Sequence, residues 1–315
     1  MSRTLVYRTA TLQGVKTPGI IHNGGYHFTH FDVYEDGRIA DWNFEDFEHF
    51  IKDVQKGWVV TNIPDGEEIS CFNLGSWKID KGQWYYTPNT YLEFIKSLVL
   101  ELNPNWTNIY TYQERKVNGV TVGESGTGTL YKIDTVNVDH FFPTKIKGEN
   151  RSLFYVSEGK YYLIQLLLFK DKTILIHGCG EEKVLDFERL RTLIDEGIVC
   201  STIPNGAKVI IENLGEFSVV EEFYSNDIEE IFVELEDDYR QLNGEKSLLQ
   251  LCREALEAYQ ENPKDELKEA LKIAYERIPE HMQMYLGDMD SKDGEYIDII
   301  YGPEYWDQWN TDEVK

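Results

Sequence analysis

Cysteine is scarce, with four residues in 315: Cys71, Cys179, Cys200 and Cys252. None is spaced as Cys-x-x-Cys and all lie in apolar stretches. This argues against a disulfide framework and for small buried hydrophobes in a reducing compartment. Basic residues are also in deficit: 31 Lys+Arg stand against 56 Asp+Glu, a net charge of −25. Such a surface repels phosphates, so DNA, RNA and anionic lipid are poor partners, whereas a basic protein is a permitted one. Acidic surfaces also serve solubility alone. No apolar run is long enough for a bilayer; the longest, 161–169, is interrupted by Gln165. No apolar run follows the basic residues of the N-terminus, so no signal peptide is expected and the chain reads as cytoplasmic.

Catalytic signatures are missing too. The glycine-rich stretch 119–129 lacks the lysine of a phosphate loop, and Ser125, followed by Gly126 and Thr127, does not form a nucleophile elbow. Residues 288–295 are similar to a calcium loop, but the glycine falls one residue late and Lys292 occupies a ligand position. His177 and Cys179 lack the third, orienting group of a thiol nucleophile site. These observations assign neither an enzyme activity nor a cofactor.

What the chain does have is self-similarity. Shifted by 140 residues, 46–77 lies over 186–217 without a gap, and 11 of 32 columns are identical, where roughly two would arise by chance. Residues 21–34 extend the match over 156–169, and 89–98 over 226–235. The retained residues are punctuation. Gly57 and Gly197 suit left-handed helix C-caps. Pro64-Asp65-Gly66 and Pro204-Asn205-Gly206 are turns, and Asn73-Leu74-Gly75 and Asn213-Leu214-Gly215 a second turn or bulge.

The expected fold class is α+β: two tandem repeats of a mixed strand-strand-strand-helix-strands-helix unit. A β-rich insertion separates them, and an acidic helical C-terminal region follows. The expected domains are 1–150 (repeat core 19–104, insertion 105–150), 151–242 and 243–315. In copy one, Asn43 is expected to cap a helix over 44–56 and Asn89 a second over 90–102. Strands are expected near 77–80 and 83–86, and residues 4–11 as a further strand. In copy two the helices fall over 186–196 and 227–242. Asn118-Gly119 signals a hairpin in the insertion. Ser247 is expected to cap a helix over 248–259, and Pro263 to open one running to about Arg277. Residues 225–315 hold 25 acidic and 9 basic residues. Residues 296–309 are too apolar for a free tail and are expected to dock back or to contact a partner.

Two sets of residues are candidates for function. His22, His27, His30 and Asp32 form the only histidine cluster, a possible metal site or ligand cleft between the repeats. On a strand, however, His27 points away from His30 and Asp32, and exposed positions diverge readily. Asp237, Asp238, Tyr305, Trp306 and Trp309 form a possible partner surface in the acidic, aromatic C-terminal region. Trp58, Trp77, Trp84, Tyr85 and Tyr86 are mainly core candidates.

Residues 19–36, 119–130 and 279–290 resemble a bacterial family known only as a domain of unknown function. The resemblance runs over nearly the whole chain and implies no activity and no site residues. The first functional expectation is an interaction, inhibitor or immunity-type protein, of the kind used in bacterial conflict, that binds a basic protein. The alternative is an enzyme or a binder of a small ligand or metal, with its cleft between the repeats.

Overall fold

The computed structural model describes residues 13–40, 44–125, 148–288, 292–302 and 305–306. The expected strand at 4–11, the cap Asn43, residues 126–129 of the glycine-rich stretch, 289–291 of the calcium-like loop, and Trp309 lie outside them.

Copy one opens with the hairpin β1 (Gly14–His22) and β2 (Tyr26–Tyr34). It continues through β3 (Ile39–Ala40), β4 (Phe44–Glu45), α1 (Phe47–Lys56), β5 (Val59–Val60), β6 (Glu68–Cys71), β7 (Gly75–Trp84) and α2 (Pro88–Leu102). A separate two-stranded hairpin follows, β8 (Tyr112–Val117) and β9 (Val120–Ser125). It turns on Asn118 and Gly119, both at positive φ (52° and 81°), as a tight primed turn requires. Copy two repeats the order: β10 (Gly148–Ser157), β11 (Lys160–Phe169), β12 (Ile174–His177), β13 (Lys183–Leu185), α3 (Phe187–Asp195), β14 (Val199–Cys200), β15 (Lys208–Ile211), β16 (Gly215–Ser225) and α4 (Ile228–Leu242). The C-terminal helices are α5 (Leu248–Glu261), α6 (Asp265–Glu276), α7 (Glu280–Gln283) and α8 (Gly294–Tyr301).

The α+β architecture is a true repeat, alike down to hydrogen-bond register. Each long second strand pairs antiparallel with its hairpin mate and parallel with a short strand after the helix. Tyr26 faces Ile69 in one copy, and Tyr161 faces Val209 in the other. The helix caps are shared as well: Asp46 accepts from the His49 N–H and Asp186 from the Arg189 N–H, both at 2.8 Å. Gly57 (φ 76°) closes α1, and Gly197 (φ 67°) follows α3. The helix α1 therefore begins at Phe47, not Phe44; residues 44–45 are held in a strand by pairing with β3. The helix α2 is capped by Thr87 with Pro88 in its first turn, rather than by Asn89. The two strands expected over 77–86 are the single strand β7.

Between matched positions the copy-two hairpin is one residue longer, although its unpaired turn is one residue shorter. Ile20 pairs with Val60, and Phe154 with Cys200, so β1 corresponds to β10 at an offset of 134, while β2 corresponds to β11 at 135. The counterpart of His22 is thus Val156 rather than Ser157.

The copies join through β7 and β16, antiparallel at the centre of a 14-stranded sheet. Ile79 sits opposite Val219, its own counterpart 140 residues on. A local two-fold axis therefore passes between them. Gly75 and Gly215 stand at the two ends of this ladder, each against the far end of the opposite strand. A Cβ on Gly75 would lie 2.5 Å from the Tyr224 carbonyl oxygen, and one on Gly215 2.8 Å from that of Gln83. This crowding by the opposite strand explains why both copies keep glycine there.

The sheet curls until the copies share one core. Trp77 of β7 meets Phe154 of β10 edge-on at 5.1 Å, and Trp84 stacks on Phe217. Phe50 and Val54 of α1, and Tyr91, Ile95 and Val99 of α2, are buried. The C-terminal helices bury a second cluster, including Cys252, Leu271, Tyr275 and Ile297, against which Val233 of α4 packs. Tyr296 and Ile300 of α8 belong to it, so that part of the apolar C-terminal stretch does dock back. No helix among the described residues is long and apolar enough to cross a membrane.

Candidate functional site

The structure does not gather the four proposed metal ligands. His22 stacks on Tyr26 at the hairpin tip, with ring centroids 4.6 Å apart. His27 pairs with Ile21, on the strand face opposite to His30 and Asp32. His30 pairs with Pro18, four residues or roughly 13 Å along the strand from His22. Asp32 is bound to Lys16 at 2.6 Å. Among the described residues no three His, Cys, Asp or Glu are placed to hold a metal ion. Strand geometry separates what sequence proximity suggested.

His30 belongs to a different constellation. Where the curled sheet brings copy one against copy two, a cavity of about 160 Å³ opens. Lys16, Thr17 and His30 line it from the first hairpin, and His177, Glu212 and Asn213 from copy two. Phe94 and Leu98 of α2 and Leu163 of β11 form apolar walls. The Thr17 hydroxyl is buried without a hydrogen-bond partner. Glu212 accepts from the Gly180 N–H at 3.2 Å. Burial, then the neighbouring Lys16 and His177, lower the His30 imidazole to about 3, so it is neutral at physiological pH and can accept a hydrogen bond.

This has a measurable consequence. An unfolded chain takes up a proton on His30 near the ordinary value, while the folded chain does not until about 3. Stability is therefore full above that ordinary value and is lost as the pH falls, by up to roughly 1.4 kcal/mol per pH unit. In urea unfolding between about pH 7.5 and pH 5, His30→Gln, which installs the copy-two residue Gln165, is expected to flatten this acid limb.

The duplication supplies an internal control. Cap for cap, Thr87 with Asp227 and Asn103 with Asn243, α2 and α4 correspond at an offset of 140, three residues on from the sequence match of 89–98 to 226–235; the counterparts of Thr17, Phe94 and Leu98 are therefore Arg151, Glu234 and Asp238. In copy two the seam is filled: the Arg151 Nη2 lies 2.7 Å from Asp238 and 3.3 Å from Glu234. The C-terminal segment covers it. His281 bridges Glu230 at 3.1 Å and Glu234 at 2.9 Å, and Pro279 and Met282 reduce the remaining space to about 50 Å³. Burial pushes the Asp238 carboxyl up to about 6 despite Arg151. One seam is closed by ions and by α7; its twin is open.

The same contacts change the partner-surface expectation. Asp237 accepts from the Leu248 N–H at 2.9 Å and tethers the start of α5; Asp238 is committed to Arg151. Both carboxylates serve internal packing. The Trp306 indole donates to Asp298 at 2.7 Å, and Tyr305 stacks on Tyr301 at 5.1 Å; Trp306 remains partly exposed. Burial raises the thiols of Cys71, Cys179, Cys200 (to about 11) and Cys252 (to about 12), so none is an activated nucleophile. Asp293, in the calcium-like loop, accepts from the Tyr275 hydroxyl at 2.7 Å.

Sequence reasoning missed Lys16, Thr17, Glu212 and Asn213, and did not join His177 to His30. The available signal was the column pairing Thr17 with Arg151, visible only once the extra residue of the copy-two hairpin is placed.

Comparison with known families agrees with this organisation. Residues 2–106 and 136–246 match the family described as "Domain of unknown function (DUF7638)", and 247–315 match "Domain of unknown function (DUF7639)". The chain belongs to the first of these families. The match to it spans both copies and leaves out the β8–β9 hairpin, and the second match begins at Ser247, the N-cap of α5. No curated protein and no solved structure matches the chain.

Proposed function

We propose that this protein binds a small polar molecule in the open seam between its repeats. The observation carrying this reading is the contrast between equivalent seams: Arg151, Glu234 and Asp238 fill one, whereas Thr17, Phe94 and Leu98 leave the other hollow beside His30 and His177. Pseudo-symmetric interfaces are common places for ligands. The cavity is smaller than drug-sized pockets, which restricts the ligand to a few heavy atoms. Neutral His30 would accept a hydrogen bond and Lys16 would donate one. Acetate, methylammonium and urea serve as minimal probes of its charge. With ring-labelled histidine, at least one should shift the His30 and His177 resonances saturably, and Leu98→Phe should weaken the response by narrowing the cavity. If none of the three moves either ring, the reading fails.

A second reading, association with a basic protein, draws on the charge of −25 and on exposed aromatics at one end of the central ribbon. Phe72 is 84 % exposed, Phe223 51 % and Tyr224 55 %. An inhibitor or immunity role would be one form of it.

A further inference from the structure

The copies also differ on the outer side of their second helices. After α2 and α4 they begin alike. The Asn103 amide donates to the Glu35 carbonyl at 2.9 Å, and its counterpart Asn243 to the Lys170 carbonyl at 3.4 Å. Then they part. Copy one turns back through Trp106, at a left-handed φ of 49°. Its indole packs edge-on against Phe47 at 5.6 Å, with the Lys96 ammonium 5.3 Å above the ring. In copy two the position of Trp106 belongs to Lys246, which reaches away to Glu254 at 2.6 Å.

The counterparts of Phe47 and Lys96 are Phe187 and Glu236. Both line a groove of about 550 Å³, floored by Val233, Tyr239 and Leu248. That volume is within the range of ordinary ligand sites. Where copy one supplies its own indole, copy two has an aromatic wall and space.

We infer that this groove receives the aromatic side chain of a basic partner protein, in the place that Trp106 takes in copy one. The inference rests on the second reading above and gives it a location. The charge at the groove supports a cationic neighbour for that ring. The ammonium that covers Trp106 is replaced by the exposed carboxylate of Glu236, and Asp186, Glu188 and Asp237 also line the groove. Of the three cations lining the groove, Lys172 sits over the Tyr239 ring at 5.4 Å and Arg240 is bound to Glu245 at 3.4 Å; Arg277 is the third. An aromatic anchor seated in a desolvated pocket is a common form of binding hot spot.

The test uses the full chain and labelled peptides in fluorescence anisotropy. The probes are Lys-Lys-Trp-Lys-Lys, its Trp→Ala form, Glu-Glu-Trp-Glu-Glu, and free tryptamine as competitor. The lysine–tryptophan peptide should bind saturably, with the alanine form at least about tenfold weaker and the glutamate form weaker than the lysine one. Val233→Trp, which plugs the groove from within, should abolish binding. Glu236→Lys, on the exposed rim and without burden on the fold, should weaken it. Equal binding of the tryptophan and alanine peptides overturns the slot and leaves the basic-partner reading standing. Binding of neither peptide overturns both. Tryptamine competing as tightly as the peptide binds overturns the protein partner in favour of a small aromatic ligand.

Discussion

Replacing Arg151 with methionine is expected to destabilise the protein by about 3 kcal/mol at neutral pH, near the low end of the cost of breaking a buried ion pair. The side chains of Arg151, Glu234 and Asp238 are 18 %, 9 % and 16 % exposed. Removing the cation leaves the largely buried Asp238 carboxylate without its ion pair and Glu234 with His281 alone. The loss should appear in urea denaturation as a lower midpoint with an unchanged slope. Adding Glu234→Gln and Asp238→Asn to Arg151→Met should recover most of it, because the stranded charges, rather than the lost contact, carry the penalty. A triple variant as unstable as the single one would show that Arg151 acts through packing instead. The pH dependence gives a second check. The Asp238 carboxyl is raised to about 6, so the folded chain holds a proton that the unfolded chain has released, and its contribution to stability falls as pH rises from the ordinary aspartate value through about 6. Asp238→Asn should remove that decline.

The second large effect is at Trp77. Replacing this 1 %-exposed side chain with alanine is expected to cost about 3–5 kcal/mol, as for other buried aromatics. It removes the contact with Phe154, which ties copy one to copy two, and the indole hydrogen bond to Glu222 at 3.0 Å. Trp77→Phe, which installs the copy-two residue Phe217, should keep most of the packing. It should cost about 1 kcal/mol for the hydrogen bond. Thermal melts of the two variants separate the contributions. Equal melting temperatures would mean that the hydrogen bond, not the ring, matters at this joint.

The repeat was legible in the sequence because backbone conformation selects residues strictly. Left-handed positions, turns and crowded glycines tolerate few alternatives, so Gly57, Gly66, Asn73 and Gly75 persist in both copies. Helix starts were read a few residues early or late. Asn43 and Asn89 are good caps in isolation, but pairing of residues 44–45 with β3 and the Thr87–Pro88 pair decide the real boundaries. The site was much less legible. His30 and His177 are 147 positions apart and meet only because the sheet curls, a long-range effect that no local pattern encodes. The acidic residues Asp237 and Asp238 looked like surface because charge usually is. Their internal partners are set by long-range packing: Arg151 by β10 meeting α4, and the Leu248 N–H by the start of α5 meeting α4.

The join between β7 and β16 carries a historical consequence. A surface that meets its own counterpart across a two-fold axis is the isologous contact of a homodimer. The sheet of a lone ancestral unit would have ended in a ten-residue strand with an open edge, and an open edge recruits a second strand. Two such subunits, identical by necessity, would have had the same residue at both seams and at both outer grooves. Fusion into one polypeptide lifted that constraint, so that an arginine could close one seam and a tryptophan one groove while their mirror positions stayed free for other uses.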